Sequence, residues 1–220
     1  MNKQTIRNRI EEIGIVPAIR LSSAEDALFA IEAVSESGIP IAEVTMTTPG
    51  AMEVIAGLTS NKPELIVGAG TVIDIETARR CLDAGAKFLT SPGLDVEVVE
   101  FAVKNNVVVF PGALIPTDIM AAWKAGADFV KVFPCSLLGG PNYIKTLKSP
   151  FPHIPFIASG GVTQENTADF IQAGASGVGI GRDLINPEAV RRRQVDWIRE
   201  LAGRFLQIVS EARSQSLASL

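Results

Sequence analysis

Histidine is almost missing from this 220-residue chain: His153 is the only one. That excludes a multi-histidine metal cluster and argues against a metal-dependent mechanism, so neither a metal site nor a cofactor is expected. Cysteine is as scarce. Cys81 and Cys135 cannot build a disulfide framework, and free thiols are the default in a reducing compartment. No apolar run reaches about 18 residues, so no transmembrane helix and no membrane partner are expected. The opening stretch, MNKQTIRNRIEEIGI, is charged and lacks a signal-peptide core. These absences together point to the cytoplasm. Positive charge is also thin, with 20 Lys and Arg against 24 Asp and Glu, a net charge of −4. With no basic stripe carrying interleaved aromatics, nucleic acid is not an expected partner. The single basic cluster, Arg191-Arg192-Arg193, sits among helix formers and reads as a solvated face.

What remains is 47% hydrophobic and 20% charged, ordinary for a chain that buries a core. Short, apolar, β-branched runs recur at 15–20, 41–46, 65–70, 87–92, 107–112, 129–134, 155–160 and 177–181. They read as parallel strands covered by helices. Amphipathic segments such as AEDALFAIEAVSESG and IETARRCLDAGA lie between them. Eight β-then-α units at this length predict an α/β fold, a (β/α)8 barrel, with residues 1–220 as one domain. The tripeptide AGA at 84–86, 125–127 and 173–175 precedes a strand each time, and its glycine reads as a helix stop. A long terminal helix is expected over about 188–213, followed by a frayed tail, SQSLASL.

Barrel enzymes place their chemistry at the C-terminal ends of the strands. The run FVKVFP (129–134) puts one lysine among apolar residues. Strand alternation sets Val130 and Val132 on one face and Phe129, Lys131 and Phe133 on the other. If the valines meet the helices, Lys131 points into the barrel, and in IAEVTM the same logic turns Glu43 and Thr45 inward. Two readings stand. A buried Lys131–Glu43 ion pair could simply hold the barrel together, although desolvation offsets most of the attraction in such pairs. Alternatively, Lys131 is a nucleophile whose neutral amine attacks a carbonyl to give a Schiff base. Two further features favour the second. SGGV (159–162) and GIGRDL (179–184) place glycine-rich turns after the seventh and eighth strands, where backbone N–H groups and a helix N-terminus can cradle phosphate. Arg20, at the end of strand one, and Thr71, after VGAG, could hold a carboxylate.

In order, VPAIR, AEVTMTTPGA, VGAGTV, SPG, PGALIPTDI, FVKVFP, SGGV and GIGRDL run from residue 16 to residue 184. Over about residues 10–210 the chain resembles the bacterial 2-keto-3-deoxy-6-phosphogluconate (KDPG) and 4-hydroxy-2-oxoglutarate (KHG) aldolases. That resemblance implies a class I, pyruvate-forming lyase of carbohydrate metabolism on a (β/α)8 barrel, commonly a homotrimer, needing no cofactor. By matching motif, Lys131 would form the Schiff base and Glu43 would shuttle protons through a water. Thr71 would hold the substrate carboxylate, and Pro92 and Phe133 would shape the pyruvyl pocket. Ser159, Gly160 and Gly161, with Gly179, Gly181 and Arg182, would hold the phosphate. Thr45 and Thr47 are counted with the pocket.

Two departures stand out. Many members carry E-V-T-L-R-T where this chain has EVTMTT, so Thr47 replaces an arginine that helps hold the carboxylate. Arg20 is expected to supply that guanidinium from strand one. The similar 2-keto-3-deoxy-6-phosphogalactonate aldolases use a strand-one arginine too, which leaves the C4 epimer open. Ser159 stands where many relatives have threonine, a swap that keeps the hydroxyl. The rivals are a phosphosugar isomerase or epimerase, which needs no Schiff-base lysine, and a sugar-phosphate binding barrel without turnover.

Overall fold

In the computed structural model the described residues are 1–218, with side chains described to residue 215. Nine parallel strand segments alternate with helices. They are β1 (Ile15–Ile19), β2 (Ile41–Thr45), β3 (Ile66–Gly70), β4 (Phe88–Thr90), β5 (Val108–Phe110), β6 (Gly112–Ala113), β7 (Val130–Val132), β8 (Phe156–Ser159) and β9 (Gly177–Ile180). The strand order is β5-β4-β3-β2-β1-β9-β8-β7-β6. β5 and β6 are two halves of one barrel strand, interrupted at Pro111, which has no N–H to donate to a ladder. Its carbonyl still accepts from the Lys131 N–H at 2.9 Å. Counting that strand once, the eight expected strands close into the expected (β/α)8 barrel.

The helices are α1 (Lys3–Ile13), α2 (Ala24–Ser35), α3 (Ala51–Asn61), α4 (Ile75–Asp83), α5 (Val96–Lys104), α6 (Pro116–Lys124), α7 (Pro141–Lys148), α8 (Thr167–Gln172), α9 (Pro187–Arg191) and α10 (Val195–Ala218). Ser23, Asp74 and Asp95 cap α2, α4 and α5 by accepting from backbone N–H groups one turn in. The three AGA glycines, Gly85, Gly126 and Gly174, have φ of +92°, +95° and +100°. Each ends a helix in the left-handed conformation that glycine adopts without steric cost.

Two expectations at the C-terminus need correction. The terminal helix is not continuous: α9 and α10 are separated at residues 192–194, where Arg193 has φ of +53°. Arg193 is also not part of a plain solvated face. Its guanidinium bonds Asp26 at 2.7 Å and Glu25 at 2.5 Å and lies 4.9 Å from the Phe29 ring centre, so it pins the break to α2. Arg191 and Arg192 do stay exposed, pairing locally with Glu188. α10 continues through Ala218, so the first five residues of the expected tail are helical. Residues 219 and 220 lie outside the described residues.

The barrel interior is layered. At the bottom, Phe88 stacks on Phe110 with ring centres 5.2 Å apart, and Phe110 meets Phe129 edge-on at 5.8 Å. All three are fully buried. α1, which carries no strand-like or functional signal, closes this end with Ile6 and Ile10, and Arg7 lies over the Phe129 ring. Strand alternation then fixes the next layer, because the residue two positions after each inward aromatic is also inward. Above Phe129 comes Lys131, and above Phe88 comes Thr90.

Candidate active site

Lys131 sits on this aromatic floor, only 8% exposed. Its Nζ lies 3.3 Å and 3.5 Å from the two carboxylate oxygens of Glu43, and 3.3 Å from Thr90 Oγ1. Glu43 is 2% exposed. The inward orientation expected for both residues is what the structure has, and β2 and β7 bring them together across 88 positions of sequence. β3 makes the space. Its register sets Gly68 beside Glu43 and Gly70 beside Thr45. A Cβ on Gly70 would lie 2.2 Å from Glu43 Oε1, and one on Gly68 would lie 2.4 Å from the Phe88 ring. Two side-chain-free positions on one inner face therefore admit the carboxylate and the aromatic floor.

From this pair a cavity of about 320 Å³ opens to the C-terminal ends of the strands. Its walls include Arg20, Thr71 and Pro92 on the side of β1, β3 and β4, Phe133 at the end of β7, and Ser159, Gly160, Gly161, Gly179, Gly181 and Arg182 on the side of β8 and β9. Arg20 Nη2 donates to Thr71 Oγ1 at 3.4 Å. Thr71 has φ of +60°, a strained conformation for a β-branched residue, and such strain collects at functional sites. The Phe133 ring centre is 5.8 Å from Lys131 Nζ.

At the other end Gly160 and Gly161 follow β8 with φ of +87° and +81°. The turn is fixed by Asn166, whose Nδ2 donates to the Gly161 carbonyl at 2.9 Å and whose Oδ1 accepts from the Thr163 N–H at 2.8 Å. No helix opens directly on this turn, contrary to expectation: α8 starts at Thr167 and α9 at Pro187. The turn from 161 to 166 supplies the intervening backbone, and Gly160, Gly161, Gly179 and Gly181, which have no side chains, line the cavity with main chain.

Thr45 and Thr47 are not brought into the cavity lining. Thr45 Oγ1 donates to the Ile19 carbonyl at 3.0 Å and contacts Thr47 Oγ1 at 3.0 Å, while Thr47 itself is exposed in the loop after β2. The bond from Thr45 to Ile19 ties β2 to β1. The lining also includes Ala18, Val162, Asp183 and Ile185, which carried no separate signal in the sequence. Burial and the nearby Glu165 charge push the Asp183 carboxyl above the usual range. Thr90 went unread as well, though its place two residues after Phe88 in KFLTSP puts it on the same inner face.

The thiols are set apart from this chemistry. Burial pushes Cys81 up to about 12 and Cys135 up to about 11, so both are thiols rather than thiolates at neutral pH. Among the described residues no group of three or more His, Cys, Asp or Glu side chains is placed to hold a metal ion. No helix among them is long and apolar enough to cross a membrane. A larger, more apolar hollow lies between α1, α8 and α10, but its cation, Arg213, is committed to the main-chain carbonyls of Glu11, Glu12 and Ser176.

The fold is a (β/α)8 barrel with the buried Lys131–Glu43 pair under the C-terminal ends of its strands, the end at which barrel enzymes carry their chemistry. The sequence pattern of the family described as KDPG and KHG aldolase matches residues 6–201. The chain belongs to that family and is an aldolase, hence a lyase. It is 33% identical over 204 residues to the 2-dehydro-3-deoxy-phosphogluconate aldolase of Pseudomonas aeruginosa, covering 92% of each chain. It is also 33% identical over 175 residues to the 2-dehydro-3-deoxy-6-phosphogalactonate aldolase of Escherichia coli, covering 79% of this chain and 85% of that one. Its fold matches a crystal structure of KDPG aldolase from Legionella pneumophila, with pyruvate captured as a covalent carbinolamine. The TM-score there is 0.84 at 29% identity, covering 90% of this chain and 96% of that one.

Proposed function

We propose that this protein is a class I aldolase that cleaves 2-dehydro-3-deoxy-6-phosphogluconate to pyruvate and glyceraldehyde 3-phosphate through a Schiff base on Lys131. The observation that carries it is the buried amine 3.3 Å from a buried carboxylate at the floor of an open cavity. Residues 1–220 act as one catalytic domain in the cytoplasm, as a homotrimer. Exposed apolar side chains on the rim loops, Ile73, Ile115 and Leu137 (79% exposed), suit such an assembly.

In the reaction Glu43 takes a proton from Lys131, and the neutral amine attacks C2 of the keto acid. Loss of water leaves an iminium that withdraws electrons from C3. Glu43, now a carboxylate again, removes the C4 hydroxyl proton through a water. The C3–C4 bond breaks, its electron pair forms the enamine, and C4 leaves as the aldehyde. Protonation at C3 and hydrolysis of the imine release pyruvate and restore the amine. Arg20 and Thr71 hold the C1 carboxylate, Pro92 and Phe133 flank the pyruvyl group, and Ser159 with the turns at 160–161 and 179–182 holds the phosphate. No metal or organic cofactor takes part.

The Arg20–Thr71 contact favours a second reading. A guanidinium delivered from β1 is the arrangement that the galactonate-type resemblance implies, so 2-dehydro-3-deoxy-6-phosphogalactonate is the alternative substrate. Unphosphorylated 4-hydroxy-2-oxoglutarate, cleaved to pyruvate and glyoxylate, is a further one. Comparing kcat/KM on the three decides among them.

Incubation with pyruvate and sodium borohydride, followed by peptide mass spectrometry, is expected to give one reduced pyruvyl adduct, on Lys131. A folded protein that gives none would exclude the Schiff-base reading and favour a phosphosugar isomerase or a binding barrel. Arg20→Ala is expected to raise KM for the keto acid about 10- to 100-fold, the loss of a hydrogen bond to a charged group. Unchanged kcat/KM would remove Arg20 from the carboxylate site.

A further inference from the structure

Among the described residues, Lys131 Nζ has one hydrogen-bond partner that the reaction above does not use. Thr90 ends β4, is 1% exposed, and has its Oγ1 as close to Lys131 Nζ as the nearer oxygen of Glu43. An ionised carboxylate only accepts hydrogen bonds, whereas a hydroxyl both accepts and donates. Thr90 can therefore do something at this nitrogen that Glu43 in its charged form cannot.

Attack of the amine on C2 creates a need for that ability. The new C2–Nζ bond forms while the carbonyl π pair moves onto oxygen, leaving a cationic nitrogen and an anionic oxygen on one carbon. A proton must pass from nitrogen to oxygen. Direct transfer would close a strained four-membered ring, whereas a hydroxyl next to nitrogen relieves it. Because C2 bonds both atoms, rotation about the new C2–Nζ bond can turn that oxygen toward a hydroxyl already in hydrogen-bond reach of Nζ.

We propose that Thr90 is a further catalytic residue, relaying this proton in the carbinolamine; the proposal rests on the reading of Lys131 as the nucleophile. Thr90 Oγ1 gives its proton to the C2 oxygen and takes one from Nζ, so the hydroxyl is restored and the intermediate becomes neutral. The proton that Glu43 took from Lys131 at the outset then goes to the C2 hydroxyl. Water leaves with the C–O pair, the nitrogen lone pair forms the C=N bond, and Glu43 is a carboxylate again before C–C cleavage. The side chain is held for this by its place above Phe88, whose ring stacks on Phe110.

The test follows adduct formation by rapid mixing with pyruvate, a borohydride quench at set times, and mass spectrometry of Lys131. Thr90→Val keeps the shape and removes the hydroxyl. It is expected to slow formation about 10²-fold, in the range of general acid–base catalysis. Thr90→Ser keeps the hydroxyl and is expected to stay within about threefold of the unmodified rate on the same argument. A packing role predicts the opposite order, since valine fills the site and serine leaves a void. Should Thr90→Val not fold, Thr90→Ala against Thr90→Ser isolates the hydroxyl, with alanine expected to be the slower. Adduct formation at the unmodified rate in Thr90→Val or Thr90→Ala, or equal slowing in Thr90→Ser, overturns the proposal. Absence of adduct in the unmodified protein overturns the Lys131 reading instead.

Discussion

Lys131→Met should abolish turnover, with kcat/KM down on the order of 10⁵-fold or more, because among the described residues no other lysine lines the cavity to replace a covalent nucleophile. A coupled pyruvate assay reads this directly, and residual activity above about a hundredth of normal would mean that the Schiff base forms elsewhere or not at all. The same substitution separates function from stability. Lys131 and Glu43 are both buried, and removing one partner of a buried pair costs about 3–5 kcal/mol because the other charge is left without compensation. Replacing both, as Lys131→Met with Glu43→Leu, is expected to recover most of that loss in urea unfolding, since buried pairs contribute little net stability. Recovery of stability without recovery of activity would mark the pair as retained for chemistry. A double variant as unstable as the single one would mean that the pair holds the barrel together.

Glu43→Gln is expected to lower kcat by about 10²- to 10⁴-fold, the usual worth of a positioned proton-transfer group. Glutamine keeps an oxygen that can accept from Lys131 Nζ but leaves the buried ammonium without a counter-charge, so stability should fall by about 3–5 kcal/mol, on the order of 10 °C in the midpoint of thermal unfolding. Progress curves on the keto acid, with unfolding measured on the same preparation, check both halves. A kcat within threefold of the unmodified enzyme would transfer the proton-shuttling role to another group. The space around Glu43 leaves little freedom for compensation, because even a Cβ on Gly70 would lie 2.2 Å from its Oε1.

The barrel was readable because its signal is local and repeated. Eight short apolar runs separated by amphipathic segments leave few architectures, and AGA marks the helix stops through a backbone conformation that glycine adopts freely. The inward direction of Lys131 and Glu43 was readable for a similar reason: alternation along a strand depends only on the neighbours in sequence. Legibility ended where the outcome depends on packing between distant segments. The expected continuous helix over 188–213 breaks at Arg193, where Glu25 and Asp26 on α2 capture its guanidinium from 168 and 167 positions away. Thr45 alternates inward as expected, yet the Ile19 carbonyl claims its hydroxyl before a substrate could.

What the sequence by itself determined is the set of units and their chemistry: eight strands, an inward lysine and glutamate, glycine-rich turns after the last two strands, and the family to which these motifs belong. What only the tertiary structure decided is which groups share a distance of about one hydrogen bond. Closure of β4 against β5 brings Phe88 onto Phe110 and so sets Thr90 beside Lys131. Arg20 meets Thr71 only because β1 and β3 flank β2. Such contacts follow from barrel closure and register, which sum weak preferences over the whole chain and leave no mark at any one position in it.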